Sequence, residues 1–293
     1  MRILHLDTGR EMRGGQWQAL RLHRGLAEAG HQSLLLARAG SPLLAAARRA
    51  NLPCEVLRPL RLALLSRRFD LMHAHDARAH KLGALFARVP LVVSRRVAFP
   101  VRTSAVSRWK YGRAALFLAV SRFVACELRR AGVEDRRIEI VYDGVPVPAE
   151  PARGDAILVP STPDPAKGMA LAEDAAARAG VRIERSADLA RDLPHARALV
   201  YLSRSEGLGS GILLGMAHGV TVIASDVGGI PELIEDGVNG ILVPNDAEAV
   251  AGAFRRIDPQ LGLAARAAVL EKFTEDRMVK ATLAAYEKVL AHA

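Results

Sequence analysis

The sequence predicts an α/β protein made of two doubly wound parallel-sheet domains, residues 1–145 and 146–273, with a closing helix over 274–293 that packs back on the first. Three observations carry this expectation. Short, almost unbroken apolar runs alternate with amphipathic helical stretches from end to end, and strands that apolar belong in a sheet covered on both faces. The rhythm breaks once, at 138–155, where Pro146, Pro148 and Pro151 stand among alanine, glycine and aspartate as in a linker. It then restarts, and a chain of 293 residues suits two domains of ordinary size.

Taken in order, the first half offers strands at 2–7, 33–38, 54–58, 70–75, 90–96 and 116–121. Helical spacing fills 15–31, 41–51, 77–88 and 121–132 between them. The second half offers strands at 156–161, 181–184, 196–203, 220–226 and 240–244, with helices at 167–180 and 211–218 and two more over 246–272. Thr274 is placed to cap the closing helix, whose first turn carries Glu275 and Asp276, where negative charge suits the helix dipole.

Composition narrows the function classes. With 50% hydrophobic and 25% charged residues, the chain reads as globular and not as disordered. No apolar run nears the roughly 20 residues that span a bilayer. The opening "MRILHLDTGREMRGGQ" turns polar too early for a signal peptide, so the cytoplasm is the expected compartment. Cys54 and Cys126 lack metal-ligand spacing and read as small buried hydrophobes. The net charge of +10 is uneven: 26 Lys+Arg against 11 Asp+Glu in residues 1–145 give +15, and the remaining 15 against 20 give −5. A basic first half suits an anionic partner, such as the inner face of a membrane or an acidic acceptor; an arginine-rich solvated surface is the plain alternative. Aromatic residues at 4% argue against nucleic-acid binding by stacking.

The chemistry concentrates at strand ends. "SEGLGSGILLGMA" (205–217) follows the strand "ALVYLS". Gly207, Gly209 and Gly211 bare the main-chain amides, Leu208 lies between them, and the helix opening at Ser210 points its positive end at the same place, as a phosphate requires. Glu206 repels a phosphate and fits hydroxyl groups instead, so the pair of features suits a sugar phosphate. A capped glycine turn is the bland alternative. After the domain's first strand, Lys167 in "STPDPAKG" opens a helix and is placed to neutralise a diphosphate; a solvated lysine is the alternative. In the first domain Gly14-Gly15 forms a close-approach turn before a helix. It is not a GxGxxG fingerprint, which disfavours a nicotinamide or flavin dehydrogenase. "HAHDARAH" (73–80) sets His73, His75 and Asp76 at another strand end. The expectation is that His73 and His75 point to opposite faces, with His73 in the core and His75 toward the ligand.

Together "GGQWQALRLHRGLAEAGH", "DLMHAHD", "AVSRFVACELRRAGV", "IVYDGV", "AKG", "SRSEGLGSGILLGMAHGVTVIASDVGGIPELI" and "DGVNGILVP" resemble the retaining glycosyltransferases of family 4, which have the GT-B fold of two Rossmann-like domains facing a cleft. The resemblance covers nearly the whole chain. It implies a metal-independent, hexosyl-type enzyme with no cofactor. A nucleotide-sugar donor would sit on the second domain, and a glycan, lipid-linked or other cell-envelope acceptor on the first. It further implies Glu206 on the transferred sugar, Lys167 on the diphosphate, Gly14 and Gly15 closing on the donor, and His75 near the reacting carbon. Two positions depart from the family. Its second Glu, which usually contacts the ribose, is Leu214 here, a core-type residue. Its Arg before the Lys is Thr162, so another arginine (Arg95, Arg96 or Arg204) must supply that charge. These departures keep open a catalytically impaired sugar-nucleotide-binding protein or partner subunit.

Overall fold

The computed structural model describes residues 1–101 and 104–292. The chain divides into two compact units: Met1–Gly144 together with Glu275–Ala293, and Val145–Thr274.

The first unit runs β1 (Arg2–Asp7), α1 (Gly14–Glu28), β2 (Gln32–Ala37), α2 (Pro42–Arg49), β3 (Cys54–Val56), α3 (Pro59–Leu65), β4 (Leu71–Ala74), α4 (Ala77–Phe86), β5 (Leu91–Arg95), α5 (Ala105–Gly112), β6 (Leu116–Ala119), α6 (Arg122–Arg130) and β7 (Ile138–Ile140). Its seven strands are all parallel in the order β3-β2-β1-β4-β5-β6-β7. The second unit runs β8 (Ala156–Pro160), α7 (Met169–Ala179), β9 (Glu184–Ser186), α8 (Leu189–Asp192), β10 (Ala196–Tyr201), α9 (Ser210–Ala217), β11 (Thr221–Ser225), β12 (Ile241–Val243), α10 (Ala247–Ala253) and α11 (Pro259–Lys272). Its five parallel strands lie in the order β12-β11-β10-β8-β9. Helix α12 (Glu275–Leu290) belongs to the first unit.

The strands form because their side chains are wanted on both faces: β4, β6 and β11 are buried at every position. Short polar side chains start the helices. Ser41, Asp76, Ser121, Asp246 and Asp258 each accept a backbone N–H of the first turn that follows. Helix α12 is held to the first unit by its apolar stripe. Met278, Val279, Ala285 and Tyr286 pack with Ile3, Leu22, Leu26, Leu71 and Val92. Fully burying a side chain such as Leu22 is worth about 1.5–3 kcal/mol, so this stripe outweighs the exposed Lys288–Glu139 pair at the helix end.

Several expectations need correction. Residues 138–140 are not linker but the edge strand β7. Gly14 and Gly15 are not a turn before the helix but its first two residues. Helices α3, α5 and α8 were not foreseen: α5 buries no side chain, and α3 and α8 are short, so none shows a readable apolar stripe. Cys54 is half-buried and Cys126 is exposed, so neither is the buried hydrophobe expected. No helix among the described residues is long and apolar enough to cross a membrane.

Each sheet has one place where the strand order reverses, β1/β4 in the first unit and β8/β10 in the second. Ligands of doubly wound sheets collect beyond the carboxyl ends of the strands at such points.

Candidate active site

In the second unit, the chain leaving β10 turns at Ser203–Gly209 before entering α9. A polar network fixes this turn. Ser203 N donates to Ser225 Oγ at 2.9 Å, Ser225 Oγ donates to Asn245 Oδ1 at 2.6 Å, and Asn245 Nδ2 donates back to Ser203 O at 2.9 Å. Gly229 N donates to Glu206 O at 3.1 Å. Gly228, at φ +60°, lies so close to that carbonyl that a Cβ would stand 2.0 Å from Glu206 O. No larger residue fits there. Gly209 sits at φ +107°, which L side chains rarely adopt, and starts α9 without any side-chain cap. Gly209 thus leaves the first amides of α9 without a capping side chain at its own position, an arrangement suited to an anion.

Facing this turn, β8 ends at Pro160 and the segment beyond it folds into one 3-10 turn, Pro165–Lys167, steadied by Asp164, whose carboxylate accepts from Ala166 N at 3.0 Å. Arg204 N donates to Ala166 O at 2.9 Å and ties the two segments together. Lys167 ends this turn two residues ahead of α7; it does not open the helix as expected. Its ammonium pairs with the Glu206 carboxylate, and Tyr201 Oη donates to the same oxygen, Oε1, at 3.1 Å. Side-chain exposure is 31% for Lys167 and 13% for Glu206, so the pair remains reachable from solvent. Burial lifts the Tyr201 phenol well above its usual value near 10, and the Glu206 charge adds to the shift, so Tyr201 stays a donor.

The two departures also have places. Leu214, in the second turn of α9, is half-buried and not the core residue expected. Thr162 Oγ1 accepts from Asp164 N at 3.2 Å and lines a hollow of about 530 Å³ together with Met169, Ser203, Arg204 and Asn245. Among the described residues, Arg204 is the cation that lines this hollow with Thr162. Arg95 and Arg96 belong to the first unit, where Arg95 donates to Tyr111 Oη and Phe99 O and Arg96 pairs with Asp143 at 2.9 Å.

In the first unit, the carboxyl ends of β1 and β4 bring three imidazoles together. His5 and His73 are cross-strand neighbours, and His75 Nε2 lies 2.9 Å from His5 Nδ1. The His73 and His75 rings are 4.1 Å apart, on one face and not on opposite faces. The correction is elementary, because a strand alternates with period two and residues i and i+2 share a side. His73 bonds Tyr286 Oη at 2.5 Å and Ser94 Oγ at 2.8 Å. Burial is the main reason all three are driven well below the usual histidine value, so they are neutral. One ring nitrogen from each lies within 4.8 Å of the others, close enough for a metal triad. Both nitrogens of His73 are already engaged, however, and His5 and His75 bond each other, which leaves His75 Nδ1 and His5 Nε2 unpartnered. His75 is 5% exposed.

Beside them Asp7, 1% exposed, accepts from Gly9 N at 2.8 Å and Gln16 Nε2 at 3.1 Å. Burial and, second, the charge of Asp76 push its carboxyl up to about 6. Asp76 itself caps α4 and accepts from Thr8 Oγ1 at 2.7 Å. Gly15 stands close to Arg96: a Cβ there would lie 3.9 Å from Arg96 Cδ. Sequence reasoning missed Tyr201, Gln16 and Asp7. A polar residue on the buried stripe of α1 was the available signal for Gln16; nothing in an apolar strand marks Tyr201.

Glu206, Lys167, Thr162, Leu214 and the 207–211 turn therefore share one unit, and Gly14, Gly15 and His75 share the other. A family model described as Glycosyltransferase Family 4 matches residues 12–147, and one described as Glycosyl transferases group 1 matches residues 150–257. Alpha-maltose-1-phosphate synthases of Mycolicibacterium smegmatis and Mycobacterium tuberculosis are 39% and 37% identical in an alignment 112 positions long that covers 34% of this chain. The matched segment spans 29% of the length of those relatives. Among solved structures, Anabaena HepE in complex with UDP and glucose superposes with a TM-score of 0.85 at 18% identity, over 98% of this chain and 99% of that one. Sucrose-phosphate synthase from Thermosynechococcus elongatus gives 0.78 at 18% identity over the whole of both chains. At such identities the likeness is one of fold.

Proposed function

Since the chain belongs to the family 4 glycosyltransferases of the GT-B fold, we propose that it moves a sugar from a nucleoside-diphosphate sugar to a hydroxyl acceptor with retention of anomeric configuration, and that it needs neither metal nor cofactor. The single observation that carries this reading is the Lys167–Glu206 pair beside the uncapped start of α9. In the transfer, the bond from the anomeric carbon to the phosphate oxygen breaks and a bond to the acceptor oxygen forms on the same face. The acceptor proton leaves with the departing phosphate. Negative charge grows on that phosphate, where the α9 amides and Lys167 stabilise it without having to reorganise. Glu206 accepts hydrogen bonds from hydroxyls of the transferred sugar. UDP is the nucleotide to try first, because HepE was solved with UDP, UDP-glucose, and UDP with glucose.

A cell-envelope, lipid-linked or saccharide acceptor fits the charge of the first unit. Helix α3 turns Leu60 and Leu64 outward among exposed Arg58, Arg67 and Arg68, a combination suited to an anionic membrane surface inside the cell. The second reading, a sugar-nucleotide-binding protein without turnover, is favoured by Leu214 and Thr162. Calorimetric titration of UDP-glucose and release of UDP over hours, with and without a lipid extract, separate the two. Binding with release that Glu206→Ala abolishes supports the enzyme; binding with no release under either condition supports the binding protein; no binding overturns both.

A further inference from the structure

We propose that Tyr201 is a positioning residue for Glu206, one that keeps its carboxylate aimed at the sugar once Lys167 engages the diphosphate. The inference rests on the donor reading above and adds to it a residue that neither the motif nor the family resemblance assigns.

Among the described residues, Lys167 and Tyr201 are the side-chain partners of Glu206, and both act on the same oxygen, Oε1. They differ in what a diphosphate does to them. An ammonium is drawn toward two phosphates and so away from the carboxylate. A phenol held well above its usual titration range cannot ionise and cannot move with the charge; it can only go on donating. Tyr201 is also fixed in place. It is the last residue of β10, and its ring lies under the first turn of α9, where a Cβ on Gly211 would meet Tyr201 Cε2 at 2.7 Å. Gly211 thus admits the ring as well as baring an amide. The Lys167 ammonium lies 5.8 Å from the centre of that ring, so the phenol sits beneath both charged groups. With Oε1 held by the phenol, Glu206 Oε2 is left for sugar hydroxyls. With leucine at position 214, α9 carries no second acid to share that work, which makes the aim of Glu206 more consequential.

Tyr201→Phe removes one oxygen and keeps the ring, and UDP and UDP-glucose are the probes. Binding of UDP, which lacks the sugar, is expected to stay within about twofold of the wild type. Hydrolysis of UDP-glucose is expected to fall roughly 10- to 100-fold, the range for a hydrogen bond to a charged group. In a Glu206→Gln background the same substitution is expected to cost nothing further, because Tyr201 acts only through that carboxylate. Unchanged hydrolysis, an equal loss of UDP binding and hydrolysis, or a full additional loss in the double variant each overturns the proposal. A wild type that binds neither UDP nor UDP-glucose overturns the donor reading and the proposal with it, an outcome distinct from a failure confined to the variant.

Discussion

Both units are doubly wound parallel sheets, yet the edges where their strand order reverses are chemically opposite. At the β1/β4 edge the side chains are buried imidazoles and a buried carboxyl, all paying for desolvation and mostly neutral. At the β8/β10 edge the chemistry is main-chain amide with the Lys167 ammonium and the Glu206 carboxylate, held by glycines whose positions leave little room for side chains. The lesson is that one topology supplies only the location. What gathers there depends on whether the sequence after the strand spends its residues on polar side chains or on exposing the backbone. The first kind of edge is tied to stability through pH, and the second to an anion.

The contrast can be broken in several ways. The largest expected effect is at the second edge: Glu206→Ala lowers UDP-glucose hydrolysis about a hundredfold or more, while tryptophan-reported melting of the first unit stays put. Both tryptophans, Trp17 and Trp109, lie in the first unit, which makes their fluorescence a reporter for it alone. A matching drop in that melting would show the substitution acting through the fold and not through the site.

Next is acid. His23 and His80 are held at about 4 and about 3, chiefly by burial, with the usual value at 6.5. The folded first unit therefore binds fewer protons than its unfolded chain below pH 6.5. Its stability, full above that value, is lost as the pH falls toward 4 and then 3. His23 alone accounts for about 3 kcal/mol of this. In the second unit His218 is the buried histidine among the described residues. In an acid titration the tryptophan signal should thus collapse at higher pH than the helical circular dichroism does; coincident transitions would erase the distinction between the edges.

The next effect is smaller. Leu214→Glu returns a second acid to a half-buried position on α9 and should tighten UDP binding by about tenfold, as a hydrogen bond to a charged group would. Weaker binding in calorimetry would show that the leucine side chain itself serves the nucleotide. Smallest is the charge of the first unit. Binding to anionic vesicles should weaken steeply between low and physiological salt and vanish on neutral lipid. Salt-independent binding would remove the membrane reading.

The fold class was legible because it is written in periodicity: near-continuous apolar strands such as 71–74 and 221–225 belong in a sheet covered on both faces. The glycine turn was legible because Gly209 and Gly228 occupy conformations or contacts that few residues tolerate. What stayed hidden depends on neighbours distant in sequence. The pairing of Lys167 with Glu206 spans 39 residues and exists only because β8 and β10 are adjacent. The histidine cluster draws on positions 5, 73 and 75, which the ladder between β1 and β4 brings into register. Tyr201 looks like any strand aromatic until Gly211 is seen to make room for its ring. The opposite-face expectation for His73 and His75 failed for a different reason: it misapplied a rule that the sequence itself satisfied.

The central claim is that the start of α9, with Lys167 and Glu206, holds the diphosphate and sugar of a donor. A crystal structure with UDP-glucose tests it most directly. The account predicts phosphate oxygens within hydrogen-bond distance of the Ser210 and Gly211 amides, Lys167 on the diphosphate, and a sugar hydroxyl on Glu206. Phosphates bound away from α9, with the Lys167–Glu206 pair unbroken and touching nothing of the ligand, would contradict it.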